Sequence, residues 1–227
     1  MTTSSNSAAR DAWTAEAVQV VERCIDQLLS DFLEQPYAHR VEHSLHVDLY
    51  QSLYEQAIFQ RAVFVGDSGF TTRLVHKEWP STEAQSLRDS TPRRQSYDLA
   101  ILHPADVSGG TLPELTEGRF PAAIAIELGL DYSLDHIKGD LQKLEHNKVD
   151  HAYVVHLSRK RTRKSADVEA SVLGSTTVRT TFAHLDLGAK EFRWKGLADA
   201  EIRTSPYRPR HPEDDPRSVG PVDHPRP

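Results

Sequence analysis

The sequence predicts a single α/β domain in which a mixed central sheet is flanked by helices. Three observations support this class. The N-terminal part of the chain has the periodicity of amphipathic helices, continuous apolar runs of strand length follow it, and one further amphipathic helix separates two of those runs. The chain has 227 residues. Because a single hydrophobic core is usual up to about 250 residues, we expect one main fold.

Two helices are predicted near the N-terminus. In residues 15–35 the apolar side chains form one helical stripe, and Pro36 ends the helix. In residues 38–57 apolar residues recur at every fourth position, which leaves Glu42 and His46 together on a neighbouring face. The two apolar sets are Val20, Ile25, Leu28, Leu29 and Phe32, and then Val41, Leu45, Leu49 and Leu53.

Short apolar runs typical of strands come next. The predicted strands are 72–80, 96–104, 121–130 and 151–159, and "TTVRTTFAHLDLG" and "EFRWKG" complete the sheet. Pro80 and the polar residues 81–95 separate the first two strands. Runs such as "LAIL" and "AIAI" are continuous, which is typical of strands covered on both faces. A helix over 133–148, with Ser133 as its N-cap, joins the third and fourth strands and implies a parallel pair.

The ends of the chain differ in composition from its centre. Residues 1–10 are small and polar, and residues 205–227 combine frequent proline with mixed charge. Such segments bury too little apolar surface to fold, so we expect both to be disordered. The single domain is therefore expected to span residues 11–204.

Several classes of protein are disfavoured by composition. No run approaches the roughly 18 apolar residues of a membrane span, and the N-terminus has no apolar signal-peptide core, so a cytoplasmic protein is expected. Cys24, the only cysteine, lies among apolar residues and is predicted to be in the core. The sequence contains no Gly-rich phosphate loop and no GxSxG motif.

The charge distribution is uneven. A net charge of −6 disfavours a general nucleic-acid coat protein, but "SRKRTRK" at 158–164 is strongly basic. This basic segment is predicted to be either a solvated loop or a phosphate-contacting loop. Its basic residues are Arg159, Lys160, Arg161, Arg163 and Lys164.

Two carboxylates on neighbouring central strands are the most informative feature. Asp98 and Glu127 are each at or near the end of a buried strand, where an isolated carboxylate is unfavourable unless it is paired, protonated or bound to metal. Together with a backbone carbonyl such as that of Leu128, they make an all-oxygen site suited to Mg²⁺ (or Mn²⁺). In the alternative interpretation, each acid caps a strand or pairs with an arginine. Glu78 is expected to border the site and to form an ion pair with Arg93 or Arg94.

The pieces "YDLAIL", "IAIELGL" and "DLQKL" carry a resemblance to a known family. In this order, after a helix with a Glu, they resemble the PD-(D/E)XK nuclease superfamily, which has the restriction-endonuclease-like fold, over roughly residues 40–160. The resemblance implies that Asp98 and Glu127 bind metal and that Glu42 is the acid often contributed by the N-terminal helix.

The sequence departs from that family at two positions. Tyr97, and not proline, precedes Asp98, and Gly129 stands where the family has the lysine that orients or activates the attacking water. Some members of the family carry this lysine on the next helix, where this chain has Lys138 and Lys143. The "DLQKL" pattern favours Lys143, and Lys138 lies at the margin of the buried stripe, so both remain candidates.

Three functional hypotheses follow. The first is a Mg²⁺-dependent nuclease that acts on DNA, with RNA less favoured, and for which a homodimer is plausible. The second is a catalytically inactive binding or scaffolding protein, and a third, weaker idea is a subunit of a defence or mobile-element system that needs a partner protein. A histidine-based transition-metal site is disfavoured, because His43, His46 and the later histidines lack tight ligand spacing.

Overall fold

The computed structural model describes residues 3–85, 93–147, 149–160 and 165–208. The first part is helical, and a short two-stranded hairpin follows it. These elements are α1 (Thr3–Glu34), α2 (Glu42–Tyr54), α3 (Ala57–Gln60), β1 (Val63–Phe64) and β2 (Thr71–Thr72). Apolar side chains of α1 and α2 belong to one core, and Cys24 is buried in it as predicted.

The central sheet and its connecting helices form the rest of the domain. The elements are β3 (Val75–Gln85), β4 (Arg93–Leu102), α4 (Pro104–Gly109), α5 (Leu112–Thr116), β5 (Ala122–Leu130), α6 (Leu134–His146), β6 (His151–Ser158), α7 (Ser165–Gly174), β7 (Arg179–Asp186), β8 (Glu191–Lys195) and β9 (Arg203–Pro206). Within the described residues, seven strands pair in the order β3-β4-β5-β6-β7-β8-β9.

The sheet is mixed, as the sequence predicts. β5 pairs with β6 in parallel across α6, so the predicted crossover is confirmed. β6 also pairs with β7 in parallel, whereas the β3-β4, β4-β5, β7-β8 and β8-β9 pairs are antiparallel. The sheet is therefore antiparallel at both edges and parallel in the middle.

Helices cover both faces of the sheet. Tyr153 on β6 donates a hydrogen bond to Glu22 of α1 at 2.8 Å, and its neighbour in the register on β5 is Ile126. Successive side chains of a strand point to opposite faces. Glu127 therefore points away from α1, and it contacts Lys143 of α6. The helices α1 and α6 consequently lie on opposite faces.

Helix α7 is a second crossover helix that the sequence analysis did not predict. Thr180 of β7 donates a hydrogen bond to the Val172 carbonyl of α7 at 2.8 Å, on the face that also carries Glu127. Most of α7 consists of small or β-branched residues without a leucine stripe, and it follows the basic segment. Its helical periodicity is correspondingly weak in the sequence.

The structure corrects the prediction of a disordered N-terminus. α1 begins at Thr3, so residues 3–10 are helical, and Arg10 forms an ion pair with Asp106 at 2.7 Å. Small residues such as alanine are compatible with helix continuation, and α1 is already nucleated by its packed C-terminal part.

Two other boundaries also differ. β9 extends to Pro206 and the Tyr207 ring packs against Phe192, so the start of the predicted tail is ordered, while 209–227 lies outside the described residues. Pro80 does not end β3, which continues to Gln85 with an irregular register between Pro80 and Ala84. A proline is tolerated there because β3 is an edge strand.

Among the described residues, no helix combines the length and the apolar character needed to cross a membrane.

Candidate metal and catalytic site

The two predicted acids lie side by side on β4 and β5. Leu99 pairs with Ile126, and continuing this antiparallel register by one residue brings Asp98 opposite Glu127. The Asp98 Oδ2 atom accepts a hydrogen bond from the Leu128 backbone N–H at 2.7 Å. The carboxylate of Asp98 thus satisfies a strand N–H at the point where the regular β4-β5 ladder stops. Of the polar groups of Leu128, the carbonyl oxygen remains as a potential metal ligand.

Glu127 is buried and is paired with Lys143. It is 1% exposed, and its Oε2 atom lies 2.7 Å from the Lys143 Nζ atom. Lys143 also donates a hydrogen bond to the Ser96 carbonyl at 2.9 Å and lies 3.6 Å from the Asp140 carboxylate. The buried leucines of α6, one on each side of Lys143 in the helix, dock this face on the sheet and so direct the ammonium group to the acids.

The two candidate lysines of α6 occupy different environments. Lys143 is 7% exposed and contacts Glu127, whereas Lys138 is exposed. Five residues correspond to about 140° around a helix, so the two side chains point in different directions. The geometry therefore brings Lys143 into the candidate site and leaves Lys138 on the surface.

Glu42 approaches the site through His46. The His46 Nε2 atom lies 3.3 Å from Glu42 Oε1 and 3.7 Å from Asp98 Oδ2. Both side chains come from one face of α2, as their spacing predicts, and His46 is only 4% exposed. The histidine thus links the acid of α2 to the acid of β4.

Glu78 on the edge strand completes this side of the site. The pairs Lys77–Leu99 and Trp79–Tyr97 place it opposite Asp98. Potential ligand atoms of His46, Glu78 and Asp98 all lie within 4.8 Å of one another. The expected ion pair with Arg94 is wrong, because Arg94 instead donates hydrogen bonds to backbone carbonyls, including that of Glu117 at 3.0 Å. The side chain of Arg93 lies outside the described residues.

An aromatic ring occupies the space beside Gly129. A Cβ atom at this glycine would lie 2.8 Å from Tyr132 Cδ2 and 3.3 Å from His156 Nδ1. The Tyr132 hydroxyl also interacts with Glu42, and together with burial this raises the pKa of Tyr132. A lysine at position 129 is therefore excluded by the packing of Tyr132, and an ammonium group reaches Glu127 from α6.

Negative charge is concentrated on the α6 side of the site. Burial, together with the charge of Asp98, raises the pKa of Glu127 well above its ordinary value. Burial also raises the pKa of Asp98, and it raises the pKa of Asp140 to about 6. Burial would lower the pKa of Lys143, but the attraction of Glu127 and Asp140 outweighs it and the pKa is raised. The ammonium group of Lys143 contacts Glu127 and Asp140, and its charge also acts on Asp98.

The α2 side of the site has its own charge pair. Burial opposes ionisation of Glu42, but the interactions with His46 and Tyr132 outweigh it and the pKa of Glu42 is lowered. Burial acts to lower the pKa of His46, yet Glu42 and Asp98 together raise it. Two acids, Glu42 and Asp98, thus face the ring of His46.

The donor set fits a divalent cation. Glu127 Oε1 is buried, and no described residue donates a hydrogen bond to it. A buried carboxylate oxygen without a partner is costly unless an ion or water satisfies it. Asp98, Glu127 and the Leu128 carbonyl could hold the ion, because hard divalent cations prefer oxygen ligands and retain several waters.

The basic segment begins at the end of β6 and is anchored to the residues that precede α2. Arg159 donates hydrogen bonds to the Asp131 carboxylate at 2.8 Å and to the His39 carbonyl at 2.7 Å. The guanidinium of Arg159 thus joins the end of β6 to the chain just before α2, and Lys160 is exposed next to it. Arg161, Arg163 and Lys164 lie outside the described residues.

Sequence reasoning missed two participants. Asp140 lies three residues before Lys143, and this i,i+3 spacing in "DLQKL" was a usable signal. Tyr132 follows β5 directly, but nothing in the sequence indicates that its ring fills the space next to Gly129.

Comparisons of the chain with models of protein families, with curated proteins and with solved structures found no match.

Proposed function

We propose that this protein is a divalent-metal-dependent phosphodiesterase that acts on DNA, with RNA as the second candidate substrate. The observation that carries the proposal is the contact of Lys143 Nζ with Glu127 Oε2 at 2.7 Å, beside Asp98 on the adjacent strand. Two acids and one lysine in this arrangement are what the resemblance to PD-(D/E)XK nucleases implies. Because the sequence has Gly129 where that family has its lysine, the sequence alone did not identify the lysine of the site.

The order of elements supports the proposal. α2, β4, β5, α6 and β6 come in this order along the chain, with short elements between some of them and with β3 as a further antiparallel strand beside β4. A helix with a Glu, a strand with an Asp, a strand with a Glu, a helix and a strand are the order that the resemblance implies. The acids fall on the elements expected of them, with Glu42 on α2, Asp98 on β4 and Glu127 on β5.

The residues of the site have separable roles in phosphodiester hydrolysis. A divalent ion, Mg²⁺ or Mn²⁺, would lower the pKa of a bound water and stabilise charge on the phosphate. Asp98 and Glu127 would hold it, and Lys143 would orient the attacking water while it keeps Glu127 in place. Glu42, linked to Asp98 through His46, would assist from the other side.

The basic segment favours a phosphate-containing polymer as the substrate. Arg159 anchors the start of this segment beside the residues that precede α2, the helix that carries Glu42 and His46. Lysine and arginine near a hydrolytic site neutralise backbone phosphates, which is the sequence-independent part of nucleic-acid binding. This local charge compensates for the net charge of −6.

The test is cleavage of plasmid and single-stranded DNA, and of RNA, by the wild type and by four single variants in Mg²⁺ or Mn²⁺. Glu127→Gln, Asp98→Asn and Lys143→Ala are expected to lower the rate by about 100-fold or more, because each removes a group that stabilises charge in the transition state. Lys138→Ala is the matched control, an exposed lysine on the same helix, and should cleave like the wild type.

The control also separates the two candidate lysines. Loss of cleavage in Lys138→Ala with retention in Lys143→Ala would show that the contact with Glu127 is not the catalytic arrangement. Equal cleavage by Glu127→Gln and the wild type would refute the nuclease proposal.

A binding or scaffolding role is the second candidate, and one observation favours it. Lys143 uses two of its three N–H donors on Glu127 and on the Ser96 carbonyl, as a purely structural buried pair would. In that case Lys143→Met would lower stability, and the purified wild type would show no metal-dependent turnover. Turnover at a stoichiometry that excludes a contaminant would eliminate this candidate.

A further inference from the structure

The imidazole of His46 lies among the carboxylates of the candidate site, and its surroundings are unusual. His46 is 4% exposed, and neither of its ring nitrogens makes a hydrogen bond with a described residue. A neutral histidine that serves only as a core residue normally donates one ring N–H to a partner. The contacts of His46 are instead carboxylate oxygens, those of Glu42 at 3.3 Å and of Asp98 at 3.7 Å.

These separations suit ligands that share one ion. Nitrogen and oxygen ligands bind a first-row metal at about 2.0 to 2.2 Å, so two ligands at angles of 90° to 110° lie about 3.0 to 3.6 Å apart. The distance of 3.7 Å from His46 Nε2 to Asp98 Oδ2 is close to this range. Potential ligand atoms of His46, Glu78 and Asp98 lie within 4.8 Å of one another, so small side-chain movements suffice to close the set.

The backbone conformation of Glu78 is a second observation in favour of a shared ion. Its φ of 52° is in the left-handed region, which is strained for a residue other than glycine. In this conformation Glu78, which lies opposite Asp98 on the edge strand β3, has its carboxylate close to His46 and Asp98. Strain of this kind is common where a side chain is held for a ligand.

From these contacts we infer that His46, Glu78 and Asp98 form a nitrogen-containing metal position, which makes the site prefer a first-row transition ion such as Mn²⁺ to Mg²⁺. Imidazole is a good ligand for transition ions, whereas Mg²⁺ is bound almost entirely through oxygen. Asp98 is shared between this position and the oxygen ligands Glu127 and Leu128. The inference rests on the proposed metal dependence, and it adds which ion the site selects and which residues select it.

The test measures metal binding without substrate. Calorimetry gives the affinities for Mn²⁺ and Mg²⁺, and pulsed electron paramagnetic resonance of bound Mn²⁺ detects a directly coordinated ¹⁴N nucleus. The variants are His46→Gln and Glu78→Gln, with His43→Gln as the matched control. His43 is an exposed histidine on the same helix, with its ring 6.0 Å from that of His46.

The wild type should bind Mn²⁺ at least about tenfold more tightly than Mg²⁺ and show nitrogen coupling. His46→Gln should abolish the coupling and weaken Mn²⁺ binding about tenfold or more, with less than about a threefold change for Mg²⁺. Glu78→Gln should weaken Mn²⁺ binding but retain the coupling. Because Glu78 is exposed, this variant is informative even if His46→Gln folds poorly. His43→Gln should resemble the wild type.

The outcomes separate this inference from the nuclease proposal. Metal binding that depends on Asp98 and Glu127, with equal affinity for the two ions and no nitrogen coupling, would overturn the inference and leave the nuclease proposal standing. Nitrogen coupling that is lost in His46→Gln, in a protein that cleaves no nucleic acid, would support the inference and remove the nuclease proposal. Absence of any metal binding by the wild type would overturn both.

Discussion

At the scale of single residues, Gly129 determines how the site is built. On the face of β5 that carries Glu127, the next side chain would be at position 129, but the ring of Tyr132 fills that space. The ring of Tyr132 lies beside Gly129, and the ammonium group that contacts Glu127 comes from Lys143 of α6. The requirement for glycine at position 129 is therefore a packing effect, and stability measurements alone can test it.

Gly129→Ala should lower the free energy of unfolding by about 1 to 3 kcal/mol, because the new methyl group is forced against a packed ring. Gly139→Ala is the control. Nothing lies within 4 Å of a Cβ atom at that helical glycine, so alanine should stabilise the protein by about 0.5 to 1 kcal/mol. Urea denaturation of each variant measures both effects.

The same substitution in a Tyr132→Ala background should cost much less, since the ring that the methyl group meets is then absent. An equal cost in the two backgrounds would mean that Tyr132 is not the reason for the glycine.

Another residue, His156, should make stability depend on pH. Burial lowers the pKa of His156 to about 3, with a further contribution from His184, against an ordinary value of 6.5. Between these values the unfolded chain binds the proton and the folded chain does not, so stability falls as the pH decreases from 6.5 towards 3. Acidification from pH 7.5 to 5 should therefore cost about 2 kcal/mol through this group.

The measurement is the free energy of unfolding of the wild type and of His156→Leu at both pH values. The wild type should lose about 2 kcal/mol more than the variant on acidification. The raised pKa values of Asp98, Glu127 and Asp140 act in the opposite direction, but they are common to both proteins. Parallel pH dependences would contradict the assignment to His156.

At the scale of elements, α6 and α2 bring the side chains of the site to strands that only carry acids. α6 docks through Ile137, Leu141 and Leu144, and this fixes which of its lysines faces the sheet. α2 docks through Leu45, Leu49 and Leu53, which leaves His46 and Glu42 at the end nearest Asp98. The site is thus a consequence of how two amphipathic helices, α2 and α6, pack against β5.

The long helix α1 should be held by its apolar contacts and not by its first turns. Trp13 packs edge-on against His103 with ring centroids 4.7 Å apart, and it also contacts Phe59. Trp13→Ala should therefore lower the free energy of unfolding by about 2 kcal/mol, less than for a fully buried tryptophan. Arg10→Ala removes an ion pair whose arginine is 45% exposed, and it should cost less than about 1 kcal/mol. Thermal denaturation of both variants compares the two, and a larger loss in Arg10→Ala would contradict this account.

At the scale of the whole molecule, the candidate site is separate from a large cavity on another part of the domain. A cavity of about 790 Å³ lies beside α1, α3 and the β1-β2 hairpin, with Trp13, Ile58 and Phe64 in its wall. The clustered carboxylates lie instead where α2, β4, β5 and α6 meet. An ion bound between the edge strand β3 and the crossover helix α6 would join distant parts of the chain. Its binding should therefore change the stability of the entire domain.

Metal binding should raise the melting temperature of the whole domain. An ion at 100 times its dissociation constant stabilises the folded state by about 2.7 kcal/mol, which corresponds to about 5 to 10 °C for a domain of this size. Asp98→Asn should abolish the shift, and Asp135→Asn, at an exposed acid in the first turn of α6, should retain it. Scanning calorimetry with Mn²⁺ or with a chelator provides the comparison. A shift of equal size in Asp98→Asn would show that the ion binds elsewhere.

The sequence by itself determined the class of fold and the partners of its central strands. Periodicity reports which side of an element is buried, so the apolar stripes of α1, α2 and α6 and the parallel β5-β6 pair could be predicted. It also placed Asp98 and Glu127 on neighbouring strands, because these strands follow one another in the chain.

Only the tertiary structure decided which side chains meet. Lys138 and Lys143 have similar sequence surroundings, and the docking of α6 brought Lys143 to Glu127. The ring of Tyr132 beside Gly129 and the approach of Glu78 to His46 depend on contacts between elements that no local pattern encodes. The weakly patterned α7 was missed for the same reason, since packing on β7 stabilises it more than its own periodicity does. Local sequence sets which surfaces are apolar, and the geometry of packing sets which polar groups those surfaces bring together.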